Sequence, residues 1–256
     1  MLILLPPSEG KAQPRRGKPL DLEAGPLAAA RGEVVDALVA LCRGPEPEAL
    51  RVLGLSDGQV DDVCRNAGLR DLPTAAAERV YTGVLYDALE LTTLGASAHR
   101  RALSRIAIVS SLYGLVRPGE RIAPYRLAGG VSLPGLGGVA AHWRRHLDPV
   151  VREQAGRGLV VDLRSSTYAA FWRPAPDLAD RVVTVRVLHE VHGRRQVVSH
   201  FNKATKGRLV RAVLEDGRDP RTPSAFTDLV VELGWQVEAG PATRGGTQLD
   251  VVVSEL

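Results

Sequence analysis

The sequence predicts an α+β fold (mixed α/β): a single compact domain over residues 1–256, with a central mixed sheet and flanking helices. Three observations predict it. Short apolar runs of strand length, such as "LILL" at 2–5 and "IAIV" at 106–109, alternate with longer amphipathic stretches. The alternation is not a clean βαβ repeat, because a hairpin pattern fills 180–201. No low-complexity linker or internal repeat divides the chain.

"LILL" reads as a buried strand that ends at Pro6 and Pro7, and a polar loop over 8–26 follows. Residues 26–42 are helical in pattern, with Pro26 suited to a first turn. Residues 45–55 and 56–68 read as two short helices, the second capped by Ser56. The stretch 77–94 is helical with a break near Gly83, and 97–105 is a basic helix leading into the strand at 106–110. After a stiff loop and a Gly/Pro-rich stretch, 139–154 predicts a helix bent near Pro149. Residues 158–172 read as strand, turn and helix. A hairpin over 180–201, helices at 203–215 and 222–234 (the latter capped by Ser224) and two final strands complete the chain.

Composition excludes several classes. A hydrophobic share of 45% with 24% charged residues is that of a folded globular chain. The N-terminus has no basic start and only the short apolar run "MLILL" before its prolines, so it does not read as a signal peptide. No run approaches the roughly 20 apolar residues of a membrane span, and the expected location is the cytoplasm. Cys42 and Cys64 fall in helical apolar patterns and predict buried, reduced thiols. His142 and His146 lie at i,i+4 without an HExxH acid and are expected on a polar helix face. Neither a metal site nor a cofactor is implied.

Net charge is +4, which permits an anionic partner. Only four of the 33 basic residues are lysines: Lys11, Lys18, Lys203 and Lys206. An ammonium is a compact donor that can lose its proton, which a guanidinium does not do. Scarce lysines in two clusters therefore draw attention to both.

Four segments could carry chemistry. "PPSEGKAQPRRGK" lacks the GxxxxGK[ST] phosphate-loop pattern, yet it would bring Ser8, Glu9 and Lys11 to the end of a strand, where α/β sheets bind ligands. "VVDLRSSTYAAFW" places Asp162 and Arg164 at another strand end, beside a helix start that favours an anion. "SHFNKATKGRLVRAVL" sets Lys203, Lys206 and Arg208 in the first turns of a helix, where cations oppose the dipole and call for an external anion. "SSLYGLVRPGERIAPYRL" holds Arg117, Arg121 and Arg126, which can bind phosphate bidentately. Its Tyr113 and Tyr125 either stack on bases or pack in the core, and packing is the commoner fate. Pro118 and Pro124 stiffen this loop into one wall of an anion-binding cleft, with Lys203 and Lys206 opposite. Residues 48–66 have the helix–turn–helix outline of a helix-hairpin-helix, although Asp57, Asp61 and Asp62 make it acidic.

Taken in order, "LILLPPSEGK", "VYTGVLYDAL", "SSLYGLVRPGERIAPYRL", "VVDLRSSTYAAFW" and "SHFNKATKGRLVRAVL" resemble the YaaA family of bacterial peroxide-stress proteins, over roughly residues 1–235. Tyr113, Gly114, Arg117, Pro118, Pro124, Tyr125 and Arg126 match its central motif. Lys203, Lys206 and Gly207 match its basic helix, and Pro7 to Lys11 its start, though "PPSEGK" departs from the "SPAKT" form of some members. The resemblance implies a mixed α/β domain with a positive cleft, DNA binding through a helix-hairpin-helix element, and a role in limiting iron-dependent damage under hydrogen peroxide.

Two functions follow from the residues. In one, the basic loops bind nucleic-acid phosphates with little base reading. In the other, the same cleft is an enzyme site for a small phosphate- or nucleotide-like substrate. Lys11, Lys203 or Lys206 would then be clamp or reactive amine, and Asp162 or His200 the base.

Overall fold

The computed structural model describes residues 1–22, 25–191, 194–196 and 199–253, with side chains for all of these but 191, 194–196, 199 and 200. Its main sheet contains β1 (Leu2–Leu5), β2 (Ile106–Ser110), β3 (Gly114–Val116), β4 (Val160–Asp162), β5 (Val182–Val191), β6 (Arg194–Gln196), β7 (Gln236–Thr243) and β8 (Gly246–Val253). Strand order is β7-β8-β5-β4-β1-β2-β3, with β6 paired to β5. Strands β8, β5, β4, β1 and β2 are mutually parallel, while β3, β6 and β7 pair antiparallel.

Parallel strands are covered on both faces and so read as continuous apolar runs. β1 shows this directly: all four of its residues are buried. Alternate side chains of the strands meet different layers. Ile3 and Val161 face Leu209, Val210 and Val213 of helix α8 (Ser199–Asp216) and Phe226 of helix α9 (Pro223–Glu232). Helices α1 (Ala28–Arg43) and α6 (Val139–Arg144) are joined by a hydrogen bond from the buried His142 ring to Ala30 O at 2.9 Å, and α7 (Leu147–Ala155) packs on β3.

The helices are α1 (Ala28–Arg43), α2 (Glu46–Leu53), α3 (Val60–Ala67), α4 (Val84–Leu89), α5 (Ala96–Arg105), α6 (Val139–Arg144), α7 (Leu147–Ala155), α8 (Ser199–Asp216) and α9 (Pro223–Glu232). Single turns at Ala77–Val80 and Ser166–Ala169 join them. No helix among the described residues is long and apolar enough to cross a membrane.

Several local expectations are corrected. The 139–154 helix breaks at Arg145–His146, ahead of Pro149, which sits in the first turn of α7 where its missing N–H has no partner to lose. Thr222, not Ser224, caps α9 by accepting from Ala225 N. Ser56 caps a 3₁₀ turn (Asp57–Gln59) ahead of α3, its N–H donating to Gln59 Oε1 at 3.2 Å. Cys64 is exposed; Cys42 alone is buried. His142 is buried rather than on a polar face. The break near Gly83 is present, at φ 91°, a conformation that suits glycine. The β5–β6 hairpin forms but is shorter than the expected 180–201: β6 is only Arg194–Gln196, residues from Ser199 on belong to α8, and 192–193 lie outside the described residues.

Candidate functional site

The sheet topology creates a site before any side chain is considered. From β1 the chain crosses to β2 on one side, and β4 later takes the other side. Connections leaving the C-terminal ends of these strands therefore diverge. Such switch points are where open α/β sheets hold ligands. Three of the singled-out segments leave here: Pro6–Lys11 after β1, Ser111–Tyr113 after β2 and Leu163–Ser165 after β4.

Lys11 folds back into the crevice. Its Nζ donates to Ser8 O at 2.6 Å and Glu9 O at 3.3 Å, and lies 4.1 Å from the centre of the Tyr125 ring and 5.6 Å from that of Tyr81. Burial and the neighbouring Arg126 guanidinium lower its pKa to about 7, against the opposing pull of Glu9 and Asp62. Glu9 itself accepts from Arg126 Nη2 at 3.2 Å.

Beneath Lys11 is a hydroxyl network. Tyr125 Oη pairs with Ser110 Oγ at 2.7 Å and with Tyr81 Oη at 3.4 Å, and Tyr86 donates to Pro6 O at 2.7 Å. Tyr113 packs edge-on to Tyr125 with ring centres 5.4 Å apart, and its Oη donates to Ala123 O. Ser111 Oγ donates to Leu127 O. All five tyrosines of the chain thus converge on one edge of the sheet. Burial raises the pKa of each of them, so they are neutral proton donors rather than phenolates.

Lys206 approaches from α8. Its Nζ donates to Leu163 O at 3.0 Å at the end of β4, and burial lowers its pKa to about 8, opposed by Asp162. α8 runs antiparallel to the strands: Lys206 is at their ends, whereas Leu214 O and Gly217 O accept from Arg101 and Arg105, just before β2 begins. Lys203, one turn earlier than Lys206 and exposed, therefore lies beyond the strand ends. Gly207 permits this seating, since a Cβ there would meet Leu85 O, Ala88 and Leu89 N of α4.

Other expected residues sit elsewhere. β3 runs antiparallel to β2 and carries Arg117 back to the opposite edge, where its Nη1 donates to Ser104 O at 2.8 Å and Ile106 O at 3.1 Å. The proline turn at 117–120 aims away from the crevice, with Pro118 O and Glu120 O accepting from Glu78 N and Ala77 N. Arg121 donates to Thr74, Nε to Oγ1 at 3.0 Å, beneath the loop at Gly17. Tyr113 and Tyr125 are each 2% exposed and have no face for a base. Arg164 is internal: it grips both carboxylate oxygens of Asp162 at 2.8 and 2.7 Å and donates to Tyr168 O and Trp172 O. Asp162 is thereby committed to Arg164 and not placed as a base. The helix after it is a single turn, too short to carry much dipole. α8 begins at Ser199, so Lys203, Lys206 and Arg208 lie past its first turn and do not oppose its dipole. Arg208 is exposed and, two residues on from Lys206, projects from the other side of α8. His200 lies outside the residues whose side chains are described.

Sequence reading missed Asn66. Fully buried, it donates to Arg126 O at 2.7 Å and accepts from Arg126 N at 3.0 Å, so α3 fixes Arg126 beside Lys11. A buried asparagine in a helix gives no periodic signal. Tyr81, Tyr86 and Ser110 were also missed, although the rarity of tyrosine was a usable clue. α2 and α3 pack as a pair, and α3 places Asp62 and Arg65 around Lys11.

Comparison with known proteins agrees with this arrangement of motifs. The model of the family described as peroxide stress protein YaaA matches residues 1–239. A UPF0246 protein of Streptomyces coelicolor is 49% identical over all of both chains. A UPF0246 protein of Corynebacterium efficiens is 40% identical, covering 93% of this chain and 95% of its own. One from Cereibacter sphaeroides is 32% identical, covering 88% and 91% respectively. The chain belongs to the peroxide stress protein YaaA family, UPF0246.

Proposed function

We propose that this chain binds DNA, or another phosphate-rich ligand, across the strand-end edge, and through that binding helps limit iron-dependent damage during peroxide stress. The observation that supports the reading is the convergence of Lys11, Arg126, Lys206 and Lys203 on the C-terminal ends of β1, β2 and β4. Contacts of this kind neutralise backbone phosphates and read no sequence. α2 and α3 border the edge and are the proposed helix-hairpin-helix. Equilibrium binding to a duplex across a salt series tests it. Affinity should fall by orders of magnitude between 50 and 200 mM salt if about six or more phosphates are contacted. Flat affinity refutes it.

A second reading is favoured by one specific observation: Lys11 and Lys206 have lowered pKa values at a switch point. In that reading the same edge is an enzyme site for a small phosphate- or nucleotide-like substrate, with an amine as its reactive group.

A further inference from the structure

We propose that Lys11 is a carbonyl-reactive amine, and that the strand-end site takes an aldehyde borne on a phosphate ester and forms an imine with it. This deepens the second reading and rests on the phosphate-binding edge common to both.

The geometry distinguishes Lys11 from the other lysines. Its two polar contacts are backbone carbonyls, Ser8 O at 2.6 Å and Glu9 O at 3.3 Å. A neutral amine has two N–H groups and one lone pair. Two carbonyls satisfy both donors and leave the lone pair over. The nearest acid, Glu9, is turned to Arg126. Arg126 is also the group best placed to hold a phosphate beside the amine, because Asn66 fixes its backbone on both sides. Lys11 is partly exposed, whereas Lys206 is 8% exposed and points at the end of β4.

The groups facing the Lys11 amine are Glu9, Arg126, Asp62, Arg65 and the rings of Tyr81 and Tyr125. The rings and the acids favour the cation; burial and the arginines favour the neutral amine. Near neutral pH a large share of Lys11 amines thus retains its lone pair.

The step balances without oxidant or reductant. The nitrogen lone pair attacks the carbonyl carbon and the C–N bond forms. The carbonyl oxygen takes up two protons, both in the end from the nitrogen, and leaves as water; the neutral C=N bond remains. Two sources supply this chemistry: a ring-opened deoxyribose at an abasic position in DNA, or a small sugar or cofactor phosphate.

The test uses the intact wild-type protein with pyridoxal 5′-phosphate, trapped by borohydride from pH 6 to 10 and mapped by peptide mass spectrometry. The expected adduct is on Lys11, with a midpoint at about 7. At pH 7 it should exceed that on exposed Lys18 more than about tenfold. Pyridoxal without its phosphate should label less. Lys11→Arg should abolish the adduct and Lys18→Arg, at an exposed lysine outside the site, should retain it. Adducts on Lys18, Lys203 or Lys206 in preference to Lys11, or a midpoint near that of an ordinary lysine, overturn the inference without reliance on any variant. Parallel arms use an intact duplex and a duplex with one abasic position. A trapped cross-link to the abasic duplex identifies DNA as the source; an adduct confined to the small aldehyde identifies a small substrate. Duplex binding with no adduct from either probe defeats this inference alone. A Lys11 adduct with no duplex binding defeats the DNA reading and leaves the amine standing.

Discussion

Gly207→Ala should destabilise the protein, against the usual sign of that change. In a helix interior, alanine in place of glycine ordinarily stabilises by about 0.5–1 kcal/mol. At position 207 the new Cβ would collide with Leu85 O and approach Ala88 Cβ and Leu89 N at 3.0 Å. Two of those atoms belong to the backbone of α4, so no side chain can rotate away. Overpacking of this kind costs about 1–3 kcal/mol. The net is a loss of about 1–2 kcal/mol, since the propensity gain offsets part of the clash. For a chain of this length, each kcal/mol moves Tm by about 2–4 °C, which gives a fall of roughly 2–8 °C. Thermal unfolding by circular dichroism reads it. A rise of roughly 2–4 °C, the propensity effect alone, would show that α8 does not sit against α4 as described, and Lys206 would lose its stated position.

Three further outcomes follow. Arg164→Met should lose about 3–5 kcal/mol, because Asp162 is left buried and unpaired; urea unfolding with intact stability would return Arg164 to the ligand candidates. A lysine whose folded pKa is depressed binds fewer protons folded than unfolded, so its contribution to stability rises as pH climbs from about 7 towards 10.5. Lys11→Met should therefore flatten the pH dependence of Tm over that window, and an unchanged slope counts against a lowered Lys11 pKa in the folded protein. In the native protein a thiol reagent at pH 8 should modify exposed Cys64 and spare Cys42, whose thiol burial pushes up to about 11; equal rates contradict the packing of α1 on α3.

The centre of the sheet was legible because β1, β2 and β4 are buried on both faces. "LILL" and "IAIV" are unbroken apolar runs, the first closed by two prolines. Lys11 and Lys206 were legible for a different reason: lysine is scarce here, so its positions stand out. Arg117 and Arg164 were not, because charge in a sequence carries no direction. Only the antiparallel return of β3 shows that Arg117 faces the far edge, and only the Asp162 pair shows that Arg164 is internal. Asn66 was silent for the same reason. Its role depends on a backbone 60 residues away.

The most direct test of the phosphate-binding edge compares its two sides. Duplex affinity is measured across a salt series for Arg126→Ala/Lys203→Ala, at the strand ends, and for Arg117→Ala, at the opposite edge. Each lost phosphate contact lowers the slope of log affinity against log salt by about 0.9. The double variant should lower it by about 2, and Arg117→Ala should leave it unchanged. An unaltered slope in the double variant, or an equal loss from Arg117→Ala, would contradict the assignment of the strand ends as the binding edge.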